Sequence, residues 1–371
     1  MKLSVIVVFI AIASLIIIAG HLGLYVSWVK FFHISDIRVK RALGITVGIL
    51  SCSFIVASAL TYWKENTLVN AIYGAAGGWL GIVWYLTLAT AAVWLVFLVS
   101  WLLGQRLPLA TVAGVLLAAS VVYSIYGIWN AQHPVVKRIT VTIPNLPETW
   151  RGRTVVQLSD VHLGPVHREK FLQRVVDQVA QMNPDAVFIT GDLFDGGGRD
   201  LSALVDPLAQ LTPPHGIYYI TGNHETYVGL DHSLSAVRSV PAIHILRDQL
   251  RDVDGLQLLG IDYPLSGTSK DVQPVLALLD RTKPSIVLYH EPKLELVDAI
   301  QSAGANLLLA GHTHVGQLWP FNFITNAMYR GEDYGLTQKS GFSLYTSSGI
   351  GTWGPPVRTG NRPEIVAITL R

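Results

Sequence analysis

Four stretches of this chain contain no Asp, Glu, Lys or Arg, and no other feature restricts its fold so strongly. They run from Leu3 to Val29, Ala42 to Trp63, Ala71 to Gly104 and Leu107 to Gln132. Each reaches the roughly 20 residues a helix needs to cross a bilayer. The first is longer than the apolar core of a secretory signal, and no small-residue cleavage site leads from it into soluble sequence, so it reads as a retained span. The joining pieces are short: Lys30 to Arg41, Lys64 to Asn70, then Gln105 and Arg106. A compact bundle of about four membrane-spanning helices is therefore expected over residues 1–132, with the lipid bilayer as its first partner. Gly74 with Gly78, and Gly77 with Gly81, form interleaved small-residue pairs that would let a neighbouring helix approach closely. No carboxylate, Lys or Arg lies inside a span, so the usual marker of an ion or proton path is missing, and His21 is expected to serve helix packing. Cys52, the single cysteine, cannot form an intrachain disulfide.

Composition follows from this division. Half of the residues are hydrophobic and only 14% are charged, too apolar for one soluble globule, while a net charge of +2 does not indicate a nucleic-acid binder. Lys30, Arg38, Lys40 and Arg41 make the first connection the most basic, which by the positive-inside rule places it in the cytoplasm. The remainder of the chain then lies outside, although Lys137 and Arg138 pull the other way. The expectation is a multi-pass protein of a cell membrane with an extracytoplasmic C-terminal domain.

After Trp129 the texture changes. His133, Pro134, Lys137, Arg138, Pro144 and Pro147 punctuate a connector over 133–152, with a first strand at Arg138 to Ile143. From residue 153 to 371, Val/Ile/Leu-rich runs alternate with helical patterns, the signature of a layered α/β domain. The runs are Thr154 to Leu158, Ala186 to Ile189, Ile217 to Ile220, Leu256 to Gly260, Ser285 to Tyr289 and Asn306 to Leu309. Helices are expected at Arg168 to Gln181, Leu201 to Leu211, Ser233 to Val240, Val272 to Leu279 and Leu294 to Ala303. Phe342 to Thr346 and Ile365 to Leu370 are expected to close the sheets.

Nearly every run ends in Asp, Asn or His, and ligands of open α/β sheets gather at such ends. The first leads into Asp160 and His162, which in an extended segment point the same way and can reach one ion. The second leads into Asp192 and Asp195, the third into Asn223, His224 and Glu225, the fifth into His290 and Glu291, and the sixth into His312 and His314. Asp, Asn and His together suit divalent ions of borderline hardness such as Mn, Fe, Zn or Co. Two such ions about 3.5 to 4 Å apart can clamp a phosphoryl group. Each element alone has a plainer reading, as a helix cap, a turn or a packed histidine. Five in order, each at a strand end, do not.

Asp-x-His, Gly-Asp-x-x-Asp, Gly-Asn-His-Glu, His and Gly-His-x-His together resemble the calcineurin-like metallophosphoesterase superfamily from about Arg153 onward. The resemblance implies an α/β/β/α sandwich that hydrolyses a phosphomonoester, diester or pyrophosphate with two divalent metal ions. It implies one ion held by Asp160, His162, Asp192 and His314, and another by Asp192, Asn223, His290 and His312. His224 would be the catalytic proton donor, with Asp195 and Glu225 supporting the shell. Ser347-Ser348-Gly349-Ile350-Gly351, with Arg358 and Arg362 beyond, is similar to the membrane-associated bacterial branch, some of whose members are similar to UDP-2,3-diacylglucosamine hydrolases. Arg358 and Arg362 are thereby candidate phosphate contacts. The substrate expected is a phosphate ester, with the bilayer anchor favouring a lipid-linked one. The rivals are a tethered phosphoesterase for a soluble or cell-wall substrate and a non-catalytic metal-binding sensor.

Overall fold

The structure, a computed structural model, describes residues 3–196, 200–265, 268 and 270–371, which fall into two units. One comprises Met1–Trp129 and, from far along the chain, Gly354–Val357; the other comprises Asn130–Trp353 and Arg358–Arg371.

The first unit is helical: α1 (Leu3–Phe31), α2 (Ile37–Trp63), α3 (Thr67–Leu102) and α4 (Leu109–Ala131). All four are long and apolar enough to cross a membrane. Two helix starts carry the side chains that satisfy orphan backbone donors: Asp36 accepts from the Arg38 N–H at 2.7 Å, and Asn66 from the Val69 N–H at 2.9 Å. Polar groups inside the bundle are paired between α1 and α3. His21, buried, accepts the Trp79 indole N–H at Nε2 (3.0 Å), with Nδ1 2.8 Å from the Ile17 carbonyl, so both ring nitrogens are occupied. The Trp94 indole donates to Ser27 (2.9 Å) in the same way. His21 thus ties two helices together, as its isolation among apolar residues suggested. The glycine pairs differ from expectation. A Cβ on Gly77 would come within 2.9 Å of Pro356 Cδ, and one on Gly81 would collide with Val357. The close approach is made by an irregular segment, Gly354–Val357, and not by a helix.

The second unit contains two six-stranded sheets. The first has the order β1-β12-β2-β3-β4-β5, formed by β1 (Val135–Val141), β2 (Thr154–Leu158), β3 (Ala186–Thr190), β4 (Ile217–Ile220), β5 (Ile243–Ile245) and β12 (Glu364–Leu370). The second has the order β10-β11-β9-β8-β7-β6, formed by β6 (Gln249–Val253), β7 (Leu256–Gly260), β8 (Ser285–Leu288), β9 (Leu307–Ala310), β10 (Gly335–Lys339) and β11 (Phe342–Thr346). In each sheet the central strands run parallel, β2 to β5 in one and β7, β8, β9 and β11 in the other.

The helices are α5 (Glu169–Gln181), α6 (Ser202–Val205), α7 (Asn223–Val228), α8 (Leu230–Arg238), α9 (Gln273–Leu276), α10 (Leu294–Ser302) and α11 (Phe321–Met328). Strand side chains alternate between faces, so each sheet buries both. Val155, Phe188, Leu258, Ile286 and Leu309 share the core between the sheets, whereas Val156 and Val187 pack with Leu172 and Val175 of α5, and Val287 and Leu308 with Val297 and Ile300 of α10. The result is the expected four layers. The helix expected at Leu201 to Leu211 breaks into α6 and a 3-10 turn over Asp206–Gln210, because Pro207 removes a backbone donor. The strand expected at Arg138 to Ile143 begins earlier, at Val135, paired along its length with β12.

A fragment covering residues 130–371 is expected to fold, with circular dichroism showing the α/β signature and a cooperative melt. Starting at Lys137 instead would remove two residues of β1 and the Asn130 side chain, which donates to the carbonyls of Arg358 (3.1 Å) and Asn361 (2.8 Å). That shorter fragment should melt at a lower temperature.

Candidate metal centre

Seven predicted ligands leave their sheets at carboxyl ends of parallel strands: Asp160 and His162 after β2, Asp192 after β3, Asn223 after β4, His290 after β8, and His312 and His314 after β9. The site is therefore built from both sheets. Five of these residues have positive φ: Asp160 54°, His162 52°, Asp192 51°, His312 73° and His314 47°. Asp and His tolerate this region better than branched residues do. The Asp160 and His162 side chains therefore converge through left-handed turns and not, as the sequence suggested, through strand alternation. The adjacent glycines have a packing reason, since a Cβ on Gly222 would collide with Asp192 Oδ1 and one on Gly311 with Asp160 Oδ2.

The ligating atoms form overlapping groups, Asp160–His162–His314, His162–Asp192–His224 and Asp192–His290–His312, each with its atoms within 4.8 Å of one another. In the first, the His162 and His314 Nε2 atoms face each other at 2.8 Å, and His314 Nε2 lies 3.3 Å from Asp160 Oδ1. In the last, Asn223 Oδ1 lies 3.1 Å from His290 Nε2 and 2.8 Å from His312 Nδ1, while Asp192 Oδ2 lies 3.1 Å from His290 Nε2. The same Asp192 oxygen is 4.0 Å from His162 Nε2, so it stands between the two ends of the cluster. These donors suit two borderline divalent cations sharing one carboxylate. His162 Nδ1, buried, has no hydrogen-bond partner among the described residues, and the ring packs against those of His224 and His314.

The electrostatics agree with that fit. Burial pushes the His162, His312 and His314 rings towards the neutral form that a ligand needs, with His312 down to about 4. Burial also opposes ionisation of Asp160 and Asp192, but the surrounding histidines outweigh it and hold both carboxyls below their usual range. His290 goes the other way: burial lowers it, yet Asp192 raises it to about 10. The buried carboxylate thus demands a positive partner.

Known proteins are similar to this chain in sequence. The family model described as calcineurin-like phosphoesterase matches residues 153–316. An uncharacterized metallophosphoesterase of Aquifex aeolicus is 32% identical over 243 residues, a match covering 64% of this chain and 91% of that protein. This chain belongs to the calcineurin-like phosphoesterase family. It is also similar to a transmembrane protein with metallophosphoesterase domain of Danio rerio, 34% identical over 279 residues, covering 69% of this chain and 62% of that protein. An uncharacterized metallophosphoesterase of Campylobacter jejuni is 34% identical over 244 residues, covering 64% and 63%. The chain thus spans a little under two thirds of the length of those last two relatives. Metal-dependent phosphoester hydrolysis is the chemistry this membership implies.

Around the phosphoesterase ligands, four residues act on the shell. Asp195 Oδ1 lies 3.0 Å from His224 Nδ1. Glu225, expected to support the shell, accepts the backbone N–H groups of Gly222 (2.6 Å), Asp192 (3.0 Å), Leu193 (2.8 Å) and Phe194 (3.3 Å). It fastens the Asp192 loop to the Asn223 turn. Arg358 is fully buried, and its guanidinium donates to His314 Nδ1, to the Ser348 carbonyl (2.6 Å) and to Asn361 Oδ1 (2.8 Å). It therefore backs a ligand instead of facing a phosphate, while Arg362 is exposed.

Glu291 had no role assigned from sequence. Its carboxylate accepts from the Tyr263 (2.8 Å) and Tyr329 (3.2 Å) hydroxyls and pairs with Lys293 (2.8 Å), and Oε1 lies 3.6 Å from His312 Nε2. With His312 Nδ1 turned to the cluster, Glu291 is the carboxylate behind the imidazole. Its position one residue after a ligand was the available signal.

Asp192→Ala is expected to lose both ions and all measurable turnover, whereas Asp195→Ala should keep its metal content by elemental analysis. Glu291→Gln should weaken metal binding about 10- to 100-fold in titration against a chromogenic chelator.

Proposed function

We propose that this chain is a binuclear metal-dependent phosphoesterase that hydrolyses a phosphate ester or pyrophosphate of a lipid-linked substrate, of the kind exemplified by a UDP-diacylglucosamine. The observation that carries the hydrolytic part is the placement of Asp192 Oδ2 between His162 and His290, with His224 beside it at 4.0 Å. The lipid-linked part is supported by the four apolar helices in the same chain.

Asp160, His162, Asp192 and His314 would hold one ion and Asp192, Asn223, His290 and His312 the other, with Mn, Fe, Zn or Co suited to these donors. When bound, two such ions supply Lewis acidity and neutralise charge on the phosphoryl oxygens. The protein's own contribution to proton transfer centres on His224. Its side chain is 16% exposed whereas those of Asp160 and His162 are fully buried, so it can meet a substrate atom. Burial lowers its pKa, but the Asp195 hydrogen bond and the Asp192 charge outweigh this and raise it to about 9. Asp195 fixes Nδ1, which leaves Nε2 aimed at the cluster as a proton donor. Such a group gives its proton to the departing oxygen as the P–O bond breaks.

General acid catalysis typically contributes about 10²–10⁴-fold, so His224→Ala should slow hydrolysis of alkyl or sugar phosphates by that range. A nitrophenyl ester, whose leaving group departs as an anion, should suffer far less, with metal content unchanged. Equal losses on both esters together with a lowered melting temperature would reduce His224 to a packing residue.

We place the catalytic domain outside the cytoplasm, because Lys30, Arg38, Lys40 and Arg41 cluster at the connection between α1 and α2. A C-terminal alkaline phosphatase fusion should be active. Activity of a cytoplasmic reporter at that position would reverse the orientation.

A further inference from the structure

Helix α11 is amphipathic in the inverse sense. Two of its polar residues are tied to the buried Asp333: Thr325 Oγ1 donates to Asp333 Oδ2 (2.9 Å) and Asn326 Nδ2 to Asp333 Oδ1 (3.0 Å). Tyr329, at its C-terminal end, is buried and donates to Glu291. The apolar residues face outward, with Phe323 64%, Ile324 54% and Met328 66% exposed. Phe323, Ile324, Ala327 and Met328 follow helical spacing and form one exposed stripe, and Trp319, also exposed, stands just before the helix. A second exposed tryptophan stands beside it, because the Gln317 amide holds the backbone of Trp353 through its N–H (3.2 Å) and carbonyl (3.1 Å). Apolar helix faces normally turn inward, and a contiguous exposed patch marks an interaction surface.

We infer that this stripe lies in the interfacial layer of the bilayer. Three observations single out lipid as the occupant. Tryptophans flank the patch, the residue type that favours the membrane–water boundary. From Gln317 to Gly331 the sequence holds no acidic residue, and its one charged side chain is Arg330, exposed just past the helix and able to reach lipid phosphates. The chain also carries four helices able to cross a membrane. A tethered face meets lipid at high effective concentration, so even a two-turn helix can engage it. Because α11 begins directly after the loop that carries His312 and His314, with Gly316 held against Phe321, the interface would be read at the rim of the catalytic site. The inference concerns where the helix sits and stands apart from the identity of the substrate.

The test places an environment-sensitive nitrobenzoxadiazole label on the full chain, with Cys52→Ser as background and Phe323→Cys or Met328→Cys as the attachment site. Leu278→Cys, at an exposed leucine outside α11, is the control. In phosphatidylcholine–phosphatidylglycerol vesicles, labels at 323 and 328 should emit further to the blue than the control. They should be quenched by brominated acyl chains and resist aqueous iodide. Iodide quenching equal to the control, with none from brominated lipid, would overturn the inference. Shielding that appears only at high protein-to-lipid ratio, without quenching by brominated lipid, would assign the face to a second copy of the chain and overturn it equally. Metal content and nitrophenyl ester hydrolysis of each labelled protein establish that the fold is intact.

Discussion

The centre depends on one buried negative charge. Asp192 sits at 2% exposure with His290, His162 and His224 around its Oδ2 and the His224 backbone N–H on its Oδ1. A carboxylate taken out of water is tolerated only where positive partners and donors replace the solvent, and removing a partner from such a site costs several kcal/mol. The surrounding histidines are the means by which the folded chain meets that demand. Metal ions meet the same demand more strongly, which is why a ligand cluster and a charge-compensated cluster are one constellation.

Much of this was legible in the sequence because strand ends are chemically marked. A buried parallel strand reads as an unbroken apolar run, so a polar residue just beyond it is conspicuous, and Asp160, Asp192, Asn223, His290 and His312 all stand there. The edge strands β6 and β10 were not legible for the converse reason. In β6 the residues Gln249, Arg251 and Asp252 are exposed, and β10 is polar and at an edge, so neither leaves an apolar run. Helix α11 was missed because its pattern is inverted, and periodicity alone does not say which face is buried. The partners of Glu225 and Glu291 lay out of reach because they are fixed by tertiary contacts between loops distant in sequence. The seven-ligand assignment itself came from a family pattern, and the geometry of its side chains is what gives that pattern a physical meaning.

The helical region was read correctly in length and number, and less well in its packing. Glycine pairs signal that something approaches α3 closely, but sequence does not say what; at Gly77 and Gly81 it is Pro356 and Val357. The polar residues among the spans are spent on one another, His21 on Trp79 and Ser27 on Trp94.

Five left-handed residues in one site raise the question of what holds them. At about 1 kcal/mol or more each, their conformational cost is comparable to the net stability of an ordinary domain. The ligand loops are therefore held by cross-ties and not by local preference. The Asp160 N–H donates to the Gly191 carbonyl (3.1 Å), the His162 N–H to that of Asp192 (3.1 Å), and the Gly351 N–H to that of Asp160 (2.7 Å). Gln157, buried in β2, spans the sheets by donating to Thr190 Oγ1 (2.9 Å) and to the Ala310 carbonyl at the end of β9 (2.8 Å). Hydrogen bonds between loops of both sheets therefore hold the ligand-bearing turns in place.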